Sequence, residues 1–172
     1  MASPLPVGLS IGLVAVLVLL SAFFSSSEIA IFTLSDEWLA ERTTDGDARW
    51  TVLQGLRDDP HRLLVTILVG NNVVNVAIAS ITTVVMIEFL PAGSAVTVAT
   101  VVTSFVVLVF GEIVPKSYGL GHAEEWGLRV ARPIAVVGKV LYPLVLVFDV
   151  ITRRMNAAIG GETDIEKPYL DD

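Results

Sequence analysis

The sequence predicts an all-α membrane protein: three transmembrane helices with a juxtamembrane or re-entrant helical belt. Hydrophobic residues make up 53% of the 172, above the roughly 45–50% of a soluble domain on a count that even includes glycine. They fall in runs without a charge, 7–27, 63–87 and 89–111. At about 1.5 Å per helical residue, runs of this length match a hydrocarbon core of about 30 Å. The charged residues lie between the runs, where water and headgroups solvate them.

What the composition lacks excludes other classes. With no cysteine, disulfides, thiolate metal sites and cysteine nucleophiles are out. A net charge of −7 opposes nucleic-acid binding, which needs basic patches against phosphate. No HExxH, no GxSxG and no paired intramembrane aspartates point to an enzyme.

Val7 to Ser27 is the first span. A cleaved signal peptide is the alternative, but no Lys or Arg precedes the run and no small-x-small cleavage site is obvious, so the segment is expected to be retained. Gly8-x-x-x-Gly12 inside it matches a weak helix-packing motif. The following loop, Ser35 to Arg62, opens with Ser35-Asp36-Glu37, an N-cap followed by acids in the first turn. Its Trp38, Trp50, Leu53 and Leu56 are expected to anchor it on the membrane surface.

Leu63 to Ile87 and Phe89 to Gly111 are separated by Glu88, with the breakers Pro91 and Gly93 just beyond, and form a tight transmembrane hairpin. A fourth apolar stretch, Pro133 to Ile151, is interrupted by Lys139, Pro143 and Asp149 and flanked by Arg129, Arg132, Arg153 and Arg154. That pattern predicts an interfacial, re-entrant or belt-like segment and no fourth crossing. Arg42, Arg49, Arg57 and Arg62 lie in the 35–62 loop, against none in the Glu88–Gly93 turn or the first six residues. The positive-inside rule then places the loop and the C-terminus in the cytoplasm and the N-terminus outside. The membrane domain reads as residues 1–159, and residues 160–172 as an acidic linker.

Polar groups in hydrocarbon are costly unless paired, so those inside the runs are the candidates for function. Ser21, Ser25 and Glu28 recur at i, i+4 and i+7 and share one helix face. Asn71 and Asn75 are again four apart, with Gly70 beside them and Asn72 between. The third run ends Gly111-Glu112-Ile113-Val114-Pro115-Lys116, where Pro115 is expected to break the helix and free a backbone carbonyl next to Glu112. The donors are hydroxyl, amide and carboxylate oxygens, a set that selects Mg²⁺, Ca²⁺, Mn²⁺ or Na⁺ over zinc or copper. Interhelical hydrogen bonding is the plainer reading for Ser21, Ser80, Thr82, Thr83, Thr100 and Thr103 taken singly. Glu28 is either a Na⁺ ligand or the ion-pair partner of a basic residue such as Lys116.

Three motifs in order, Ser21-Ala-Phe-Phe-Ser25-Ser-Ser-Glu28, Pro60-x-Arg62 through Gly70-Asn71-Asn72-x-x-Asn75, and Phe110-Gly111-Glu112-Ile113-x-Pro115-Lys116-x-x-Gly119, resemble the transmembrane domain of the CNNM/CorC magnesium transporters. The resemblance runs from about residue 8 to 170. It implies a homodimer, three membrane helices per subunit with a juxtamembrane belt, and a cytosolic CBS-pair module beyond the acidic tail. It also implies a dehydrated Mg²⁺ held by Ser21, Ser25, Asn71, Asn75 and Glu112, with backbone oxygen from around Gly70 and from Ser21. Efflux of Mg²⁺ driven by Na⁺ across the cell membrane is the activity it suggests. The rival class is a non-transporting membrane Mg²⁺ sensor or scaffold that regulates another channel.

Overall fold

A computed structural model describes residues 6–35, 37–39 and 48–158. Asp36, Arg42 and the acidic tail lie outside the described residues, as do the side chains of Asp149 and Arg153. The described residues form helices α1 (Val7–Phe32), α2 (Ala48–Arg57), α3 (Pro60–Phe89) and α4 (Ala92–Val106), a π-helical segment Val107–Ile113, and then α5 (Val114–Gly121), α6 (Ala123–Val140) and α7 (Tyr142–Ala158). Three helical rods are long and apolar enough to cross a bilayer: Val7–Phe32, Pro60–Phe89 and Ala92–Gly121. They extend the charge-free runs by several residues, because polar helix ends can stand in the headgroups.

Beside a buried apolar core, the outward faces of the spanning rods are also apolar. Leu9, Leu19, Val76, Val101 and Phe105 point outward, while Ser21, Ser25, Ser26 and Ser27 are buried. Lipid tails solvate leucine as well as a protein core does, so helices associate through small residues that let backbones approach. Gly119 brings α5 against the Ser26 carbonyl, and Gly127 lays α6 on Ala30 and Leu34. Gly8 and Gly12 have nothing within 4 Å, so the Gly-x-x-x-Gly motif packs against no other part of the described chain.

Start and stop signals sit where the sequence puts them. The Trp38 N–H donates to Ser35 Oγ at 3.3 Å. Asp59 caps α3 by accepting the Arg62 N–H at 3.1 Å, with Pro60 in the first turn. Three expectations need correction. First, two of the four expected surface anchors are internal: Trp50 and Leu53 are buried in a core with Val130, Ala131 and Ile134, while Trp38 and Leu56 are partly buried against it. Packing α2 onto α6 removes their apolar area from water more completely than the interface could.

Second, the belt is longer than the apolar stretch that announced it. α6 begins at Ala123, with Glu124 and Glu125 in its first turn and Pro133 inside it. It meets α7 at a bend of 77°, so the fourth stretch is an elbow at Leu141. Third, Pro115 does not break the third rod. The backbone widens into the π segment, whose Val114 N–H reaches the Val109 carbonyl five residues back. A π turn gives the ring the room it lacks in an α-turn and carries the rod through.

Candidate functional site

Ser21 projects from α1 toward α3, its hydroxyl 3.0 Å from Asn71 Oδ1 and 2.8 Å from Asn75 Oδ1. The two asparagines meet one point because they are one helical turn apart. A serine hydroxyl has a single proton to donate, yet two amide oxygens are turned toward it. Three oxygens therefore converge with one hydrogen among them, an arrangement a cation between them would complete.

Ser25 lies one turn below Ser21, fully buried, and its Oγ has no hydrogen-bond partner among the described residues. Other hydroxyls on these helices find one in their own backbone. Ser26 donates to the Ala22 carbonyl, Ser27 to Phe23, Thr66 to Arg62, Ser80 to Val76 and Thr83 to Ala79. That route is open to any Ser or Thr four residues past a carbonyl. Ser25 does not take it, which separates it from residues serving as helix glue. The asparagines divide in the same way: Asn72 is exposed and donates back to the Leu68 carbonyl at 2.8 Å.

The π segment supplies the third wall. A Cβ at Gly111 would stand 2.7 Å from Ser21 Oγ, so the bare Cα of Gly111 is what lets this segment lie on the Ser21 hydroxyl. In π register the next acceptor after Val109 is the Phe110 carbonyl, and Pro115 has no N–H to give it. The opened backbone oxygen is thus beside Gly111, one residue before the position expected in α register. Gly70 has a different part: a Cβ there would be 2.7 Å from the Phe24 ring, so it makes room for Phe24. Its carbonyl lies within the unbroken ladder of α3.

Glu112, next to Gly111, lines a cavity of about 270 Å³ together with Asn75, Thr100, Thr103 and Ser104. It forms no ion pair or hydrogen bond among the described residues. Lys116, one turn further along, instead reaches Glu28 Oε2 at 3.4 Å, so Glu28 has its basic partner and Glu112 is left without one. Among the described residues no three His, Asp or Glu side chains gather, and Glu112 is the carboxylate that shares a cavity with Asn75. Thr103, which sequence alone assigned to helix glue, was the residue missed. It is buried, its Oγ1 has no partner among the described residues, and it opens on the Glu112 cavity. No spacing links position 103 to the motifs; only the packing of α4 on α3 does.

Residues 12–172 match the family model described as the cyclin M transmembrane N-terminal domain, CNNM. The chain is 33% identical over 146 residues to the UPF0053 inner membrane protein YfjD of Escherichia coli, covering 85% of this chain and 34% of that one. A UPF0053 protein of Haemophilus influenzae is 32% identical over 151 residues, 88% of this chain and 36% of the relative. A chloroplastic DUF21 domain-containing protein of Arabidopsis thaliana is 39% identical over 159 residues, 92% and 24% respectively. The chain spans about a third of the length of these bacterial relatives and a quarter of the plant one.

Proposed function

This chain belongs to the CNNM transmembrane-domain family, and from that premise we propose that it carries Mg²⁺ across the cell membrane. The cation is held in dehydrated form by Ser21, Ser25, Asn71, Asn75 and Glu112, together with a backbone oxygen of the π segment. The observation that carries the reading is the meeting of Ser21 Oγ with two amide oxygens at 3.0 and 2.8 Å. The orphan Ser25 hydroxyl and the uncompensated Glu112 support it. Mg²⁺ gives up water reluctantly, so a cage of neutral dipoles needs the one carboxylate to offset its dehydration.

The cavity beside Glu112 favours transport over a sealed sensor site, because a transported ion needs a way in or out. Efflux driven by Na⁺ is the direction and coupling we propose, with the 35–62 loop and the C-terminus cytoplasmic, the N-terminus outside, two copies per transporter, and a cytosolic CBS-pair module in the full-length protein. Thermal melting in detergent across Mg²⁺, Ca²⁺, Mn²⁺ and Na⁺ tests the site, since a ligand that binds the folded state alone raises its stability. Glu112→Gln keeps size and hydrogen bonding while removing the charge. It is expected to abolish the Mg²⁺-dependent shift and leave a folded protein. Full retention of the shift would move the site to Glu28, and failure to fold would make Glu112 structural.

A further inference from the structure

A second cavity, of about 430 Å³, lies away from the cation centre, where the N-terminus of α3, the C-terminal half of α2 and the α6–α7 elbow come together. Its polar lining includes Arg62, Lys139, Asp59, Thr66 and Tyr142, and its walls include Leu63 and Ile134. Arg62 immediately precedes the charge-free run that begins at Leu63, so the cavity sits at the boundary between polar surface and hydrocarbon. At Gly138 α6 runs beside Thr66, where an added Cβ would stand in ordinary contact, 3.6 Å from its Cγ2. The Arg62 guanidinium lies 4.8 Å from the centroid of the Tyr142 ring, which fixes its aim across the elbow.

Two cations and one carboxylate line this cavity. Asp59 already serves as the α3 cap, and Lys139 has no ion-pair partner among the described residues. Leading away from the cavity, α7 packs on α3 through Val145 against Val65 and Val69, and its Leu144, Val147, Phe148 and Ile151 are exposed. A positive notch at the headgroup level that continues into an exposed apolar face fits an amphiphile with an anionic head. Basic pockets between membrane helices bind anionic headgroups for this reason.

We propose that the α6–α7 elbow is a binding site for an anionic glycerophospholipid, its phosphate between Arg62 and Lys139 and its acyl chains along α7. Such a lipid bridges α3 and α6 at the bend and holds the elbow against the hairpin. The test is a thermal-stability titration of delipidated protein in detergent with phosphatidylglycerol, with phosphatidylcholine of the same chains, and with inorganic phosphate. Native mass spectrometry counts the retained lipid. The expected result is stabilisation and one retained lipid per chain with phosphatidylglycerol, little with phosphatidylcholine, and none with phosphate. Lys139→Gln removes a charge without breaking an internal ion pair, and is expected to weaken phosphatidylglycerol binding about five-fold, the effect of one basic residue near an anionic surface. The Lys139→Gln, Arg62→Gln double variant is expected to abolish the preference, and where it fails to fold the Lys139 single variant decides. Equal response to the two lipids, an unchanged Lys139→Gln, or the same stabilisation by inorganic phosphate alone would each overturn the proposal.

Discussion

Gly111→Ala is expected to disturb the proposed cation cage while leaving every proposed side-chain ligand in place. The added Cβ would stand 2.7 Å from Ser21 Oγ and 3.3 Å from Ser21 Cβ, inside the 3.4 Å at which ordinary contact begins. Ser21 has little freedom to retreat, because it is fully buried and its hydroxyl faces both asparagines. Overpacking a close-packed interior costs about 1–3 kcal/mol, and replacing glycine by alanine in a helix returns about 0.8–1 kcal/mol. The cation-free fold therefore loses about 2 kcal/mol at most. Cation binding suffers more, since the serine oxygen is pushed off the point where the amide oxygens meet.

The assay is the Mg²⁺-dependent increment in thermal stability, measured for each variant against its own cation-free state. At a concentration 100 times Kd a ligand stabilises by about 2.7 kcal/mol, and a hundred-fold loss of affinity leaves about 0.4 kcal/mol at that same concentration. Gly12→Ala is the matched control, because nothing lies within 4 Å of its added Cβ, and it is expected to keep the full increment. If Gly111→Ala kept it too, Ser21 would not be a ligand and the convergence of oxygens on it would be a hydrogen bond alone.

Asn75→Ala is expected to remove most of the Mg²⁺ increment, whereas Asn72→Ala, whose amide is satisfied by the Leu68 carbonyl, should leave it intact; equal effects would refute the division of the asparagines. Thr103→Val replaces a buried hydroxyl that has no partner among the described residues with a methyl of similar size. It is expected to raise cation-free stability by about 1 kcal/mol while slowing Mg²⁺ flux in vesicles; unchanged flux would remove Thr103 from the ion's path. The chain has no cysteine, so single cysteines at Gln54 and Gly93 can be probed with an impermeant thiol reagent. Gly93 is expected to label from outside and Gln54 only after permeabilisation, and the reverse would invert the proposed topology.

The three spans were legible because lipid imposes a length and an apolar content that the sequence must meet without interruption. The candidate residues were legible for a related reason, since Ser21, Ser25, Asn71, Asn75 and Glu112 are polar where polarity is costly. The loop was misjudged because Trp50 and Leu53 suit a membrane surface and a protein core equally well. Only the arrival of Val130 and Ile134 from a distant helix decides between them. Pro115 was misjudged because sequence gives the missing donor but not the register. Whether a helix breaks or widens depends on what packs around it, and here the π segment lies directly on Ser21.

That packing explains why Gly111 and Pro115 belong together. A proline alone would free a carbonyl and also push the rod away from its neighbour, since its ring needs room on the side of the preceding turn. The π turn provides the room but bulges the backbone by one residue, and a bulge against α1 is possible only where a side chain is missing. Gly111 is that place, with its Cα against Ser21. Phe110, whose carbonyl loses its donor to Pro115, and Glu112 stand on either side of Gly111 in sequence. Restoring the donor with Pro115→Ala is therefore expected to satisfy the backbone and relax the bulge, drawing Gly111 back from Ser21. The expected outcome is a higher cation-free melting temperature with a smaller Mg²⁺-dependent increment, and an undiminished increment would refute the role given to the π segment in the proposed cage.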